Sequence, residues 1–288
     1  MFTGSIVAMV TPFKDGAVDY DKLGELVDYH VENGTNAIIP CGTTGESPTL
    51  SHTEHGEVIG KVIETANGRI PVIAGTGSNN TSEAISLTRH AKEAGADGSL
   101  LITPYYNKPT QQGLYDHYKA ILEEVDIPII IYNVPSRTGV SISPETVARL
   151  SEFDNIVAIK EATGDIDQAS QILTLCDITV LSGDDSLTLP IMSIGGKGVV
   201  SVLANILPRE VSELTASIAK GDIKNSQKLH RSLFPLCKAM FIETNPIPVK
   251  TAMKLLGRLN GEMRLPLSKM SDKHEEQLKK VLNNHGLS

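Results

Sequence analysis

The chain has 288 residues, 40% of them hydrophobic, 4% aromatic and none Trp, so its core rests on Val, Ile, Leu and Ala. A count of 26 basic against 34 acidic residues gives a net charge of −8 with no basic block, which excludes the concentrated positive face a nucleic-acid partner needs. Uncharged stretches such as 186–196 are too short to span a bilayer, so no membrane partner is expected either.

The first residues, MFTGSIVAMVTP, lack the basic start of a secretory signal and read as a strand beginning near Ser5. Further β-branched runs begin near Asn36 (NAIIPCG), Pro71 (PVIAGTG), Gly98 (GSLLITP), Pro128 (PIIIYNVP), Ile156 (IVAIKEA), Thr179 (TVLSGD) and Gly198 (GVVSVLA). All eight are near-continuous apolar runs, as expected of parallel strands covered on both faces. Amphipathic segments alternate with them. One over 19–32 stops at Asn33-Gly34, a second over 51–66 at Asn67-Gly68, and a third over 81–94 at Gly95, each a left-handed cap signal. Thr81 offers the third a hydroxyl N-cap, and Ser143-Pro144 opens a later helix.

Eight strand–helix units are the number that closes an α/β fold into a (β/α)8 TIM barrel. An open doubly wound sheet would carry a dinucleotide loop after its first strand, and no Gly-rich loop follows SIVAMVTP. The catalytic barrel is expected over residues 1–222. Helical patterns over 223–240, 249–256 and 271–283 then make a C-terminal helical extension, residues 223–288. It is too short for an independent domain and is expected to pack on the barrel or help assembly, without a catalytic role.

Reactive groups of such a barrel gather where strands end and loops begin, on its C-terminal face. Lys160 closes the apolar run 156–159, which places its Cα in the sheet. An ordinary lysine, with a pKa of ~10.4, is almost wholly protonated at neutral pH, and burial disfavours the ammonium. A neutral amine there can attack a ketone and form a Schiff base, an electron sink for carbon–carbon chemistry; the competing reading is a lysine whose head reaches water. Tyr132 ends the neighbouring strand and can either relay protons to that imine or simply cap the core. Thr43 and Thr44 stand between Gly42 and Gly45 in a tight turn whose N–H groups suit a carboxylate, although a turn bonded only to itself is equally compatible. Arg137, in the loop Pro135-Ser136-Arg137-Thr138-Gly139, offers a planar fork that suits a substrate carboxylate, although most surface arginines merely solvate. Tyr105 and Tyr106 are adjacent, so in an extended segment they point opposite ways. One can face a barrel mouth, which leaves the other for a subunit interface.

Metal and phosphate readings are weaker. His52 and His55, in HTEH, lie at i and i+3 but lack the HExxH spacing and a third ligand, so no metal is expected. Gly195-Gly196-Lys197-Gly198 is not followed by Ser or Thr and precedes the eighth strand, whereas barrel phosphate sites follow strands seven and eight. Cys41, Cys176 and Cys237 are an odd number without CxxC spacing, which favours a reducing cytoplasm over a disulfide framework.

Taken jointly, six segments resemble the dihydrodipicolinate synthase family of pyruvate-dependent class I aldolases. They are Gly42-Thr43-Thr44-Gly45-Glu46, Thr103-Pro104-Tyr105-Tyr106-Asn107, the run from Tyr132 to Gly139, Ile159-Lys160-Glu161-Ala162, Ser182-Gly183-Asp184-Asp185, and Glu243-Thr244-Asn245-Pro246-Ile247-Pro248. The likeness covers essentially the whole chain. It implies condensation of pyruvate with L-aspartate-4-semialdehyde to 4-hydroxy-tetrahydrodipicolinate, in the diaminopimelate and lysine pathway, through a covalent imine and no other cofactor. It implies Lys160 as the imine-forming residue and Tyr132, Thr43 and Tyr106 as the proton relay, with Tyr106 entering a neighbouring subunit's site. Thr44 would hold the pyruvate carboxylate, Val200 would offer its backbone carbonyl, Gly183 would belong to the substrate site, and Arg137 would bind the semialdehyde's carboxylate. The resemblance further implies a homotetramer built as a dimer of dimers, and feedback inhibition by L-lysine bound near a dimer interface. The matching positions for lysine are Ser47, His52, His55, Asn79, Glu83 and Tyr105; Pro48 departs from the small residue expected beside Ser47. N-acetylneuraminate lyase and the keto-deoxy sugar-acid aldolases share the Lys and Tyr, but Thr44 and Arg137 favour the synthase. A barrel that only senses keto acids would need a disrupted relay, and each relay position here is filled.

Overall fold

Eight parallel strands, β1 (Gly4–Ala8), β2 (Ala37–Ile39), β3 (Ile73–Gly75), β4 (Gly98–Ile102), β5 (Ile129–Asn133), β6 (Ile156–Glu161), β7 (Thr179–Ser182) and β8 (Gly198–Ser201), form one sheet in a computed structural model that describes residues 2–287. Their hydrogen-bonded order is β2-β1-β8-β7-β6-β5-β4-β3. A parallel bridge between Ile38 and Val72 joins β2 to β3, so the sheet closes into the expected barrel.

Each strand is followed by a helix: α1 (Tyr20–Glu32), α2 (His52–Ala66), α3 (Thr81–Ala94), α4 (Gln111–Glu124), α5 (Pro144–Leu150), α6 (Ile166–Leu175), α7 (Thr188–Ser193) and α8 (Pro208–Ala219). Their ends follow local chemistry. The Ser51 hydroxyl accepts from the Glu54 N–H while the Glu54 carboxylate accepts from the Ser51 N–H, a reciprocal capping box that starts α2. Asn67, at φ +46°, ends the same helix in the left-handed region. The cap of α3 lies one residue earlier than the sequence suggested: the Asn80 side chain accepts from the Ser82 N–H. Thr81 is spent elsewhere, its hydroxyl hydrogen-bonded to Nδ1 of His117 on α4 at 2.9 Å.

The continuous apolar runs are explained by burial on both sides. Ile6, Ile39, Ile73, Leu100, Ile130, Ala158, Leu181 and Val200 fill the barrel interior. Their chain neighbours Val7, Ile38, Leu101, Ile131, Ile159, Val180 and Val199 point outward under the helices, as the alternation of Cβ directions along a strand requires.

The C-terminal segment forms α9 (Ile223–Ala239), α10 (Ile247–Leu255) and α11 (Asp272–Asn284). Leu233, Leu236, Val249, Met253, Leu278 and Leu282 from these helices join the same buried cluster as Val7, Leu23, Ile38 and Val58 of the barrel. Among the described residues, no helix is long and apolar enough to cross a membrane.

Candidate active site

In β6, Ala158 and Lys160 face the barrel interior while Ile159 and Glu161 face outward. The parallel register sets Tyr132 of β5 directly beside Lys160. Lys160 is only 6% exposed, so its head does not reach out to water as a surface lysine would. Its Nζ lies 3.9 Å from the centre of the Tyr132 ring. Glu161 is no partner to it: its carboxylate accepts from Asn133 Nδ2 at 3.1 Å and from the Thr163 N–H at 2.8 Å, outside the barrel. Burial there pushes the Glu161 carboxyl above the usual range.

Above Lys160 lies a cavity of about 210 Å³ bounded by Thr43, Thr44, Tyr132, Arg137, Gly183 and Asn245. That is room enough for a three-carbon keto acid against the lysine. Gly183 is required by close approach, since a Cβ there would meet the Ala162 Cβ at 2.5 Å. Thr44 is buried, and its hydroxyl accepts from Asn245 Nδ2 at 3.0 Å. The Gly42–Glu46 turn is therefore not bonded only to itself. With its oxygen engaged by Asn245, Thr44 keeps one O–H to donate elsewhere. The backbone carbonyl of the same Asn245 accepts from Arg137 Nη2 at 3.1 Å.

Two predicted residues are not on this cavity wall. Val200 sits deeper, with its side chain in the barrel interior, and Val202 takes the wall position. Tyr106 projects away from its own chain, 89% exposed. It diverges from Tyr105 not by strand alternation but because its own backbone turns left-handed, at φ +72°. Conversely, Asn245 enters the site from the C-terminal segment, which the sequence placed outside the chemistry. It stands 201 positions from Thr44 in the chain, and its only signal was the segment Glu243–Pro248 as part of a resemblance.

A second cavity, about 420 Å³, shares Thr43, Tyr132 and Arg137 with the first and extends to Ser47, Pro48, His52, His55, Glu83 and Tyr105. The Glu83 carboxylate pairs with His52 Nε2 at 2.9 Å and accepts from the Ser78 hydroxyl. His52 is largely solvent-exposed, so that pair contributes little to stability. Asn79 stands behind this wall, its Nδ2 donating to the Tyr105 carbonyl at 3.1 Å. His55 is buried, and Nε2 donates to the Gly75 carbonyl at 2.9 Å. Burial pulls its imidazole below the ordinary range, so it serves as a neutral hydrogen-bonding group.

Known proteins resemble the chain along essentially its whole length. The model of the dihydrodipicolinate synthetase family matches residues 1–285. A 4-hydroxy-tetrahydrodipicolinate synthase from Geobacter sp. strain M21 is 59% identical over 289 aligned residues, covering all of both chains. The crystal structure of dihydrodipicolinate synthase from Aquifex aeolicus superposes with a TM-score of 0.98 at 57% identity, over 99% of each chain. The enzyme from Cyanidioschyzon merolae, whose crystal structure holds bound lysine, superposes with a TM-score of 0.97 at 42% identity, over 100% of this chain and 99% of that one. With the match running from end to end and the lysine and tyrosine side by side in the barrel, the chain belongs to the dihydrodipicolinate synthetase family.

Proposed function

We propose that this chain is a 4-hydroxy-tetrahydrodipicolinate synthase that condenses pyruvate with L-aspartate-4-semialdehyde. The observation that carries the reading is Lys160, buried beside Tyr132 at the foot of a cavity whose far wall offers Thr44 and Arg137. The Lys160 amine attacks the keto carbon of pyruvate and expels water, forming an imine. Thr44 donates its free O–H to the pyruvate carboxylate, with the turn amides around it. The methyl group then loses a proton to give an enamine, whose carbon attacks the aldehyde. The substrate's own amine displaces Lys160 as the ring closes. Tyr132, Thr43 and Tyr106 from a neighbouring subunit shuttle the protons, and no external cofactor takes part. Gly183 and the Val200 carbonyl flank the pyruvyl group, and Arg137 receives the semialdehyde's carboxylate. The deciding assay compares pyruvate plus aspartate-4-semialdehyde with N-acetylneuraminate cleavage. Turnover is expected only in the first, and cleavage of the sugar acid at comparable rate would overturn the assignment.

We assign the assembly as a homotetramer, a dimer of dimers, on the outward projection of Tyr106. Sedimentation of a fully active monomer would remove it. Residues 1–222 make the catalytic barrel in this reading, and 223–288 an extension without a core of its own. The three free cysteines suit a cytoplasmic setting.

We further propose that L-lysine inhibits from the second cavity. A lysine ligand brings two ammonium groups and one carboxylate. Glu83 supplies the anion, Ser47, Asn79, His55 and Tyr105 supply hydrogen-bonding groups, and His52 stands beside Glu83. The wall shared with the catalytic cavity gives the ligand a short route to Thr43 and Tyr132. A coupling of about 1–3 kcal/mol suffices for a 5–150-fold effect. Titration at saturating pyruvate is expected to show inhibition of wild type by millimolar lysine and little of Glu83→Ala. A wild type indifferent to lysine, or an equally inhibited Glu83→Ala, contradicts the site.

A further inference from the structure

The turn from Gly42 to Glu46 carries both candidate hydroxyls, and its backbone is strained at either end. Cys41 and Glu46, neither of them glycine, sit in the left-handed region at φ +55° and +54°. Such conformations persist only where the surroundings over-determine them.

Here the surroundings are a buried charge pair. The Glu46 side chain is 0% exposed and that of Lys250 is 1% exposed, with Oε1 and Nζ 2.5 Å apart. Glu46 Oε2 also accepts from the Arg264 backbone N–H at 3.2 Å. Lys250 Nζ donates in addition to the Thr11 carbonyl at 2.9 Å and lies 4.4 Å from the centre of the Phe13 ring. The Thr11 hydroxyl in turn donates to the Gly45 carbonyl at 2.6 Å. Lys250 belongs to the first turn of α10, just after Asn245, which holds Thr44. One C-terminal segment thus grips the turn at two points.

Stability is weak ground for this pair, since an apolar pair of similar volume often serves a core as well or better. An apolar pair has no directional bonds, however, and cannot hold a left-handed peptide at one place. We propose that Glu46 and Lys250 are positioning residues for the pyruvate site: their ion pair holds the Gly42–Glu46 turn so that Thr43 and Thr44 face Lys160. The inference rests on the assignment of Thr44 to the pyruvate carboxylate.

The test measures the pyruvate concentration that half-saturates borohydride trapping on Lys160, together with Tm and kcat, in the intact enzyme. The variants are Lys250→Met, Glu46→Gln/Lys250→Met and, as reference, Thr44→Val. Misplacing the turn by a fraction of an ångström is expected to raise half-saturation roughly tenfold or more in Lys250→Met, and to lower kcat as well, since Thr43 of the relay rides on the same turn. The double variant leaves no buried charge unpaired and is expected to regain Tm while half-saturation stays raised. Recovery of both together would make the pair merely structural and overturn the proposal. If Lys250→Met does not fold, the isosteric Glu46→Gln decides on the same reading, a rise supporting the proposal and a wild-type value overturning it. Thr44→Val at the wild-type value would overturn the carboxylate assignment and the inference with it. A rise in Thr44→Val alone would overturn only the role of the ion pair.

Discussion

Pyruvate and borohydride together are expected to leave a covalent adduct on Lys160, and Lys160→Ala to leave none. Reduction of the imine adds the mass of pyruvic acid less one oxygen, so intact mass and peptide mapping read the result directly. The expectation follows from where the lysine stands. It is nearly inaccessible, faces the barrel axis from β6, and meets the Tyr132 ring at 3.9 Å with a cavity of about 210 Å³ above it. A residue that only packed there would lose stability when truncated and would leave the chemistry running. A covalent participant has no substitute nearby. The other deeply buried lysine, Lys250, is committed to Glu46 and to the Thr11 carbonyl on the far side of the binding turn. Turnover of a folded Lys160→Ala is therefore expected to fall by about a thousandfold or more, ~4 kcal/mol on the barrier. An adduct of undiminished yield in that variant, or none in wild type, would end the imine mechanism.

The next largest effect is expected at Arg137, and it is selective. Arg137→Ala should lower kcat/KM for the semialdehyde on the order of a hundredfold, ~2.7 kcal/mol, the range for removing a charge-assisted hydrogen bond from a partly desolvated site. Adduct formation from pyruvate alone should move by no more than about threefold, since the proposed assignment gives the guanidinium to the semialdehyde and not to pyruvate. The structure sharpens the control, because Arg137 also donates to the Asn245 carbonyl. Steady-state kinetics beside trapping separates the two duties. Equal damage to both readouts would place Arg137 in the pyruvate pocket, or show that its work is to hold Asn245.

The sequence disclosed whatever is governed by local pattern. Strands buried on two faces appear as unbroken apolar runs, and a lysine that ends such a run stands out because its Cα is fixed inside the sheet. The paired position of Tyr132 follows from the same logic, since both residues close neighbouring strands. Where two adjacent polar residues could serve one purpose, pattern did not choose: Asn80 caps α3 while Thr81 binds His117. Tyr106 was expected to leave its neighbour by strand alternation, yet a left-handed φ does the work, and its chain neighbours do not announce it. Asn245 and Lys250 were illegible for a different reason. Their partners Thr44, Glu46 and Thr11 lie some two hundred positions away, and nothing in a helical amphipathic pattern marks which side chains cross back to the barrel mouth.

That crossing has a consequence in time. Lys160, Tyr132 and the threonine turn are all synthesised before residue 245, but Thr44 receives its hydrogen bond, and Glu46 its counter-charge, only from residues that follow. At about 5–20 residues per second, the barrel strands precede those partners by seconds on the ribosome. A nascent chain thus holds Lys160 and the threonine turn before the turn gains its fastenings from Asn245 and Lys250. The turn is fastened only once residues 245–250 have emerged, so the start of α10 sets the moment at which the pocket can be completed.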